Sequence, residues 1–256
     1  MIAVCIKWMG GSESSGMSAA DEAAVETALR HAQATRSSLI AASVGGPAAD
    51  QCLRRALACG ATTGIRVDAP DDMDSVSVAA ALLPVVAHSS AVWCGDYSGD
   101  RGTGSVPAFL AALLNRQQAL GLISVDLVDP LRVTRRLDGG RREVLRVTGP
   151  AVLSVEGAVA RLRRAPLRAA LTAQQAEVLP YGTTSVRTGN TSGIAMRPYR
   201  PRARVLPAPI GVTPLERLRA LTDASAAPQP GETIEASPAD AAKRIVEVLT
   251  DWGYIP

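Results

Sequence analysis

Aromatic side chains are nearly missing from this chain: they make up 3% of its 256 residues and include a single Phe. A nucleic-acid surface that stacks bases on rings is therefore not expected, and the core must be built from Ala, Val, Leu and Ile. Histidine is scarce too, with only His31 and His88. The four cysteines, Cys5, Cys52, Cys59 and Cys94, follow no metal-ligand spacing, so neither a zinc site nor an iron–sulfur cluster is indicated. They read as buried, reduced and inert. Long apolar runs are absent as well. A stretch such as Ala79 to Ala87 is broken by Pro84 and is far too short to cross a bilayer. No basic leader precedes the opening Met-Ile-Ala-Val-Cys, so no secretory signal is read and a cytoplasmic location is expected.

What the chain does have is 47% hydrophobic residues, enough for one sizeable core. Up to about residue 95, apolar runs alternate with helical periods. Strands are predicted at Ile2–Ile6, Leu39–Val44, Thr63–Val67 and Ala91–Cys94. Helices are predicted from Ser18 to about Ala34, from Ala48 to Cys59 with Gly60 as the stop, and from Ser75 to Ala87. Continuous apolar strands separated by helices predict an open, mainly parallel sheet covered on both faces. Beyond Leu120 the runs Ile123–Val128, Arg132–Leu137 and Glu143–Val147 alternate and are joined by turn residues, as in an antiparallel ribbon. Ala151–Val155 is a further strand. Nine Arg and one acid, Glu177, lie between Arg161 and Arg204. Residues 178–212 are rich in Pro, Gly, Ser and Thr and read as an extended arm. Ser237-Pro-Ala-Asp240 starts a last helix, to about Asp251.

The run Gly95-Asp-Tyr-Ser-Gly-Asp-Arg-Gly-Thr-Gly-Ser-Val-Pro107 follows a strand and precedes a helix. In an open parallel sheet, ligands bind beyond the carboxyl ends of the strands. A helix N-terminus there offers unpaired N–H groups to an anion, and Ser98, Thr103 and Ser105 add hydroxyl donors. The run matches neither the dinucleotide fingerprint nor a Walker loop, so by itself it fits an ordinary connection as well as an anion site. Ser18 and the Ser43-Val-Gly-Gly46 turn should open at the same end of the sheet, which favours a mononucleotide pocket. Asp96 and Asp100 read as orienting the loop or a ribose rather than as a metal pair. His31 and His88 read as surface or capping residues, and Trp93 as core.

Read in order, these residues resemble the beta subunit of electron transfer flavoproteins. Ile2-Ala-Val-Cys-Ile-Lys7 is similar to that family's first strand, Met17-Ser-Ala-Ala-Asp-Glu-Ala-Ala-Val-Glu-Thr-Ala-Leu29 to its first helix, and Arg54-Arg-Ala-Leu-Ala-Cys-Gly-Ala61 to its second. The glycine-rich run is similar to its AMP loop. The most specific match is Val133-Thr-Arg-Arg-Leu-Asp-Gly-Gly-Arg-Arg-Glu-Val-Leu145 followed by Pro150-Ala-Val-Leu153. The resemblance implies an α/β domain of the adenine-nucleotide alpha hydrolase-like, Rossmann-like kind over residues 1–171. An extended, partner-contacting arm would follow at 172–232, and a C-terminal segment at 233–256 would pack on the partner subunit or on the core.

It also implies an electron-carrier subunit without substrate chemistry of its own. Such a subunit pairs with an alpha subunit, shares FAD with it, holds AMP or in some relatives a second FAD, and docks to a dehydrogenase. By position, the cofactor contacts would be Cys5, Ser18, Ala19, Ala20, Asp21, Val44, Gly95, Asp96, Tyr97, Ser98, Gly99, Asp100, Arg101, Gly102, Thr103, Gly104, Ser105 and Val106. The docking segment would be Gly157–Leu171, with Arg163, Leu167 and Arg168 facing the partner. Departures from the family pattern read as those of a divergent paralogue, for which mycofactocin-type redox systems are one niche. Arg101-Gly102 stands for Gly-Asp, Ser105 for Gln, and Thr172-Ala-Gln-Gln175 for a lysine-rich run. A nucleotide-binding sensor of the universal-stress-protein kind is the alternative. For the Arg cluster, contact with an acidic partner or with the flavin pyrophosphate stands beside a solvated arm, and nucleic acid is not expected.

Overall fold

Short apolar runs of small and β-branched residues alternate here with alanine-rich stretches of helical period, and the two sort into a sheet covered by helices. The structure, a computed structural model, describes residues 1–10, 16–70, 73–100, 102–183, 209, 211–222 and 234–255. The chain divides into two compact units, Met1–Ile194 and Ala195–Pro256. The first runs through β1 (Ile2–Cys5), α1 (Ala19–Thr35), β2 (Leu39–Val44), α2 (Asp50–Cys59), β3 (Thr63–Asp68), α3 (Ser75–Val86), β4 (Ala91–Gly95) and α4 (Val106–Leu114). Next come β5 (Gln117–Asp126), β6 (Leu131–Arg136), β7 (Arg142–Val147), β8 (Ala151–Val155), α5 (Leu167–Gln174) and β9 (Leu179–Thr183). The described strands form one open sheet in the order β7-β6-β5-β8-β4-β1-β2-β3-β9. From β5 through β8 to β9 the neighbours are parallel, while β6 is antiparallel to both β5 and β7. The predicted mainly parallel sheet with an antiparallel ribbon is therefore the architecture found.

Alternate strand residues feed two cores. On one face Ile2, Val4, Leu39, Ala41 and Trp93 pack against Ala24, Val25, Ala28 and Leu29 of α1 and Leu53 of α2. On the other, Ala3, Cys5, Ala42, Val92 and Val152 pack against Ala79, Leu82 and Val86 of α3 and Leu110 of α4. Ser18 caps α1 by accepting the Asp21 N–H at 3.0 Å, and Gly60, at φ +121°, ends α2. All four cysteines are buried and unpaired, and burial pushes the Cys52 thiol up to about 12, which keeps it protonated and unreactive.

Four features differ from the sequence reading. β5 begins at Gln117 rather than Ile123, because its first residues pair in parallel with β8. The strand then bends at Gly121, at φ +66°, and pairs with β6 beyond the bend. The period-2 alternation that marks a half-buried strand is clear only past that bulge. Leu179–Thr183, assigned by sequence to the arm, instead adds to the sheet beside β3. Pro180 is tolerated there because an edge strand keeps one side free of ladder bonds. Residues 184–208 and 210 of that arm lie outside the described residues. His31, read as a surface or capping residue, is partly buried and has an inward contact: its Nδ1 accepts the Trp93 indole N–H at 3.1 Å, and the Trp93 ring is fully buried.

The fourth difference lies in the second unit, where a helix α6 (Pro214–Thr222) falls inside the expected arm. Its start is a reciprocal capping box. Thr213 Oγ1 accepts the Glu216 N–H at 3.3 Å, and Glu216 accepts the Thr213 N–H at 3.1 Å. The last helix, α7 (Pro238–Asp251), is where the sequence places it, capped by Ser237, and none of its residues is buried. Among the described residues, no helix is long and apolar enough to cross a membrane.

One ion pair ties the outer helices to the chain beyond β8. Glu26, 3% exposed, accepts the Arg163 backbone N–H at 3.2 Å and its guanidinium at 2.9 and 3.0 Å, and also bonds Arg30 at 2.8 Å. Burial pushes the Glu26 carboxyl up, but these arginine bonds outweigh it and hold the group below the usual carboxylate range. Replacing Glu26 with Ala would leave a guanidinium and an N–H without partners. Chemical denaturation of Glu26→Ala should show a loss of about 2–3 kcal/mol, the low end for a broken buried pair because Arg163 is partly solvated.

Candidate functional site

The chain order β1, β2, β3 runs along the sheet in one direction, and β4 then returns to the other side of β1. That reversal splays the connections apart and opens a crevice beyond the carboxyl ends of β1 and β4. The crevice holds a cavity of about 550 Å³, inside the ~300–1,000 Å³ range usual for small-molecule sites. Its polar and charged lining includes Lys7, Asp21, Ser98, Asp100 and Thr103. Apolar side chains line it from several elements, among them Ile6 and Trp8 after β1, Val44 and Pro47 around the end of β2, Val78 and Leu82 of α3, and Val106 of α4.

Close approaches shape the wall near the ends of β4 and β8. A Cβ added at Gly95 would stand 2.8 Å from Asp21 Oδ1 and 3.0 Å from the Ala20 carbonyl carbon, and one at Gly157 would stand 3.0 Å from Ala19 Cβ. The first turn of α1 therefore abuts the ends of β4 and β8. The loop after β4 turns tightly: Ser98 N–H donates to Thr103 O at 2.7 Å and Gly102 N–H to Ser98 O at 2.8 Å, with Gly102 at φ +65°. At Gly104 a Cβ would fall 1.8 Å from the Asp96 carbonyl oxygen, so only glycine fits. Asp96 N–H in turn donates to Val155 O at 3.1 Å, pinning the loop to β8. α4 starts at the cavity wall with Val106 and Pro107, and no side chain caps it.

The ionisable groups carry the electrostatics. Lys7 Nζ donates to both Asp100 carboxylate oxygens at 2.6 and 2.8 Å, while the Ser98 hydroxyl donates to Asp100 Oδ1 at 2.5 Å. Burial pushes Asp100 up, but the Lys7 and Ser98 bonds outweigh it, so the carboxyl lies below its ordinary value. Asp21 behaves oppositely. Its Oδ2 accepts a long 3.4 Å bond from the Lys7 N–H, and hydrogen bonds with Ser18 also favour the carboxylate, but burial outweighs them and pushes it up to about 6. Asp96 is also raised, by burial and then by nearby Glu156.

Of the residues that the sequence assigns to a cofactor, Cys5, Asp21, Val44, Gly95, Tyr97, Ser98, Gly99, Asp100, Thr103, Gly104 and Val106 line the cavity. Ser18, Ala19, Ala20, Asp96, Gly102 and Ser105 do not, and Arg101 lies outside the described residues. Ser18 uses its hydroxyl to cap α1, and Ala19 and Ala20 pack beneath Gly157 and Gly95. Lys7 was missed, although a lysine directly after the first strand is a signal in itself. Val78 and Leu82 were missed because they fall in a predicted helix, and Met73 because it lies in the connection before that helix. Of the segment assigned to partner docking, Arg163 is engaged by Glu26. Leu167, 76% exposed, opens α5, and Arg168 beside it is exposed. Among the described residues, no three His, Cys, Asp or Glu come together as a metal cluster.

Comparison with known proteins adds a family. The model described as "Electron transfer flavoprotein domain" matches residues 11–180. Three relatives share the name electron transfer flavoprotein subunit beta. The one from Dictyostelium discoideum is 32% identical over 162 residues, 62% of this chain and 64% of its own. That from Bradyrhizobium diazoefficiens is 31% identical over 140 residues, 53% and 56% of the two chains. That from Methylophilus methylotrophus is 28% identical over 200 residues, 73% and 75% of the two. The match thus spans less than two thirds of the length of the first two relatives.

The raised Asp21 gives a pH signature. Below its ordinary 3.8 the group is protonated folded or unfolded and contributes nothing, and above about 6 the folded state carries the full cost of ionising it. Asp21→Asn removes that cost. Its stability relative to the parent chain should therefore rise between pH 4 and pH 7 by up to about 3 kcal/mol, measured by urea unfolding across that range.

Proposed function

Because the chain belongs to the electron transfer flavoprotein beta-subunit family, we propose that it is an electron-carrier subunit with no substrate chemistry of its own. On this reading the cavity between β1 and β4 holds AMP as a structural ligand. The observation that carries it is the mixed lining of that cavity, where apolar side chains stand with a lysine, hydroxyl groups and the start of a helix. Val44, Pro47, Met73 and Leu82 suit the faces of an adenine base. Lys7, Ser98 and Thr103, with the uncapped start of α4, offer the ammonium, hydroxyl and N–H donors that a phosphate needs. The residues present therefore fit AMP.

FAD is shared with an alpha subunit on the same reading and supplies the electron transfer when bound. This chain contributes a surface to the pair. Ile245, Val246, Trp252 and Tyr254 on and just after α7 are all more than half exposed, as a helix awaiting a partner would leave them. A dehydrogenase docks at the start of α5, where Leu167 supplies an apolar anchor and Arg168 a charge, while Glu26 holds Arg163 and so fixes where α5 begins.

Co-expression with an alpha subunit, followed by native mass spectrometry, tests the proposal. The expected complex is a heterodimer carrying one FAD and one AMP. A homodimer loaded with ATP and without flavin would overturn it in favour of a nucleotide-sensing module. Within the heterodimer, Gly104→Ala should weaken AMP binding at least about tenfold in calorimetry, since the added methyl forces the loop off Asp96.

A further inference from the structure

The reading of the cavity as a nucleotide site leaves one contact unexplained. The groups best placed to receive a phosphate are already occupied by a side chain of the same loop. Lys7 Nζ gives two short bonds to Asp100, and the Ser98 hydroxyl gives a third. Lys7 is the one cation among the described residues of the cavity wall, against the two carboxyls of Asp21 and Asp100. An entering phosphate thus meets a site whose positive charge is neutralised by the protein itself.

The occupying contact is firm in geometry and weak in energy. It joins residues 93 apart in sequence, so the loop brings its carboxylate to the end of β1 from a distance. Both side chains are about two fifths exposed, at 39% and 40%, and pairs so exposed contribute on the order of 0–1 kcal/mol. A phosphate dianion offers Lys7 twice the charge of a carboxylate and more acceptor oxygens, so it can win the exchange. A nucleoside without phosphate has nothing to exchange.

We propose that Asp100 is a built-in stand-in for the ligand's phosphate, which holds Lys7 and Ser98 until a phosphate displaces it. Asp100 and Lys7 together then determine specificity. They make the site discriminate a nucleotide from its nucleoside, and they set its affinity below what the donors alone would give. The inference rests on the nucleotide reading above. It adds that the ligand is selected by its phosphate through competition with an internal carboxylate.

The test is a double-mutant cycle on the full-length chain, stripped of bound nucleotide, with AMP and adenosine titrated by calorimetry. Asp100→Asn should tighten AMP up to about fivefold and leave adenosine within about twofold, because Lys7 is released for the phosphate alone. Lys7→Gln should weaken AMP about tenfold and again leave adenosine nearly unchanged. In the Lys7→Gln background, Asp100→Asn should then bring little further gain. If Asp100→Asn leaves AMP binding unchanged or weaker, the competition is wrong while the nucleotide reading stands. An equal gain in both backgrounds would also overturn it, since simple repulsion between Asp100 and the phosphate needs no lysine. Failure of AMP and adenosine to bind any of the four proteins would overturn the nucleotide reading itself. Both side chains lie at the surface, and a thermal melt of each variant checks that the fold is kept.

Discussion

The close seating of the first turn of α1 against the ends of β4 and β8 is the constraint from which the rest of this site follows. A Cβ at Gly95 would stand 2.8 Å from Asp21 Oδ1 and one at Gly157 3.0 Å from Ala19 Cβ, so the helix start and the two strand ends are closely seated. With that contact set, Asp21 is carried into the crevice wall and Lys7 leaves β1 beside it. The loop after β4 must then arch over the gap, which it does through the turn at Gly102 and the contact that only Gly104 permits.

α1 also shows how environment divides similar groups. Asp21 and Glu26 sit on one helix and both are buried. Asp21 has hydrogen bonds from Ser18 and the Lys7 backbone, but burial outweighs them and leaves it with a raised pKa at the cavity. Glu26 is buried as well, but two arginines more than offset the cost and keep it ionised. One face of the helix thereby faces the cavity while another anchors the chain that leads into α5. Leu167 and the apolar residues on and after α7 are by contrast exposed.

Much of this was legible beforehand because its causes are local. Ser18 before an alanine-rich period announces α1, Gly60 announces the end of α2, and the apolar runs at Ile2, Leu39 and Ala91 announce buried parallel strands. The glycine-rich run after β4 and the β6–β7 ribbon carried enough family character to indicate the family. Less was legible where pairing partners decide. β5 is a strand from Gln117 because β8 lies beside it, and Leu179–Thr183 is a strand because β3 has an open edge. Nothing in the residues themselves distinguishes either from a loop. His31 is a similar case, since its acceptor role exists only because Trp93 arrives from a strand 62 residues away.

The sequence by itself determined the order of helices and strands, the covered parallel sheet and the family, since these depend on local periods, caps and short motifs. Only the tertiary structure decided which of the expected residues reach the cavity. It withdrew Ser18, Ala19, Ala20 and Asp96 into caps, packing and backbone ties, and brought Lys7 onto Asp100 across most of the first hundred residues. The physical reason is that a side chain's task is set by what remains beside it once the backbone has closed its own contacts, and those neighbours come from distant parts of the chain.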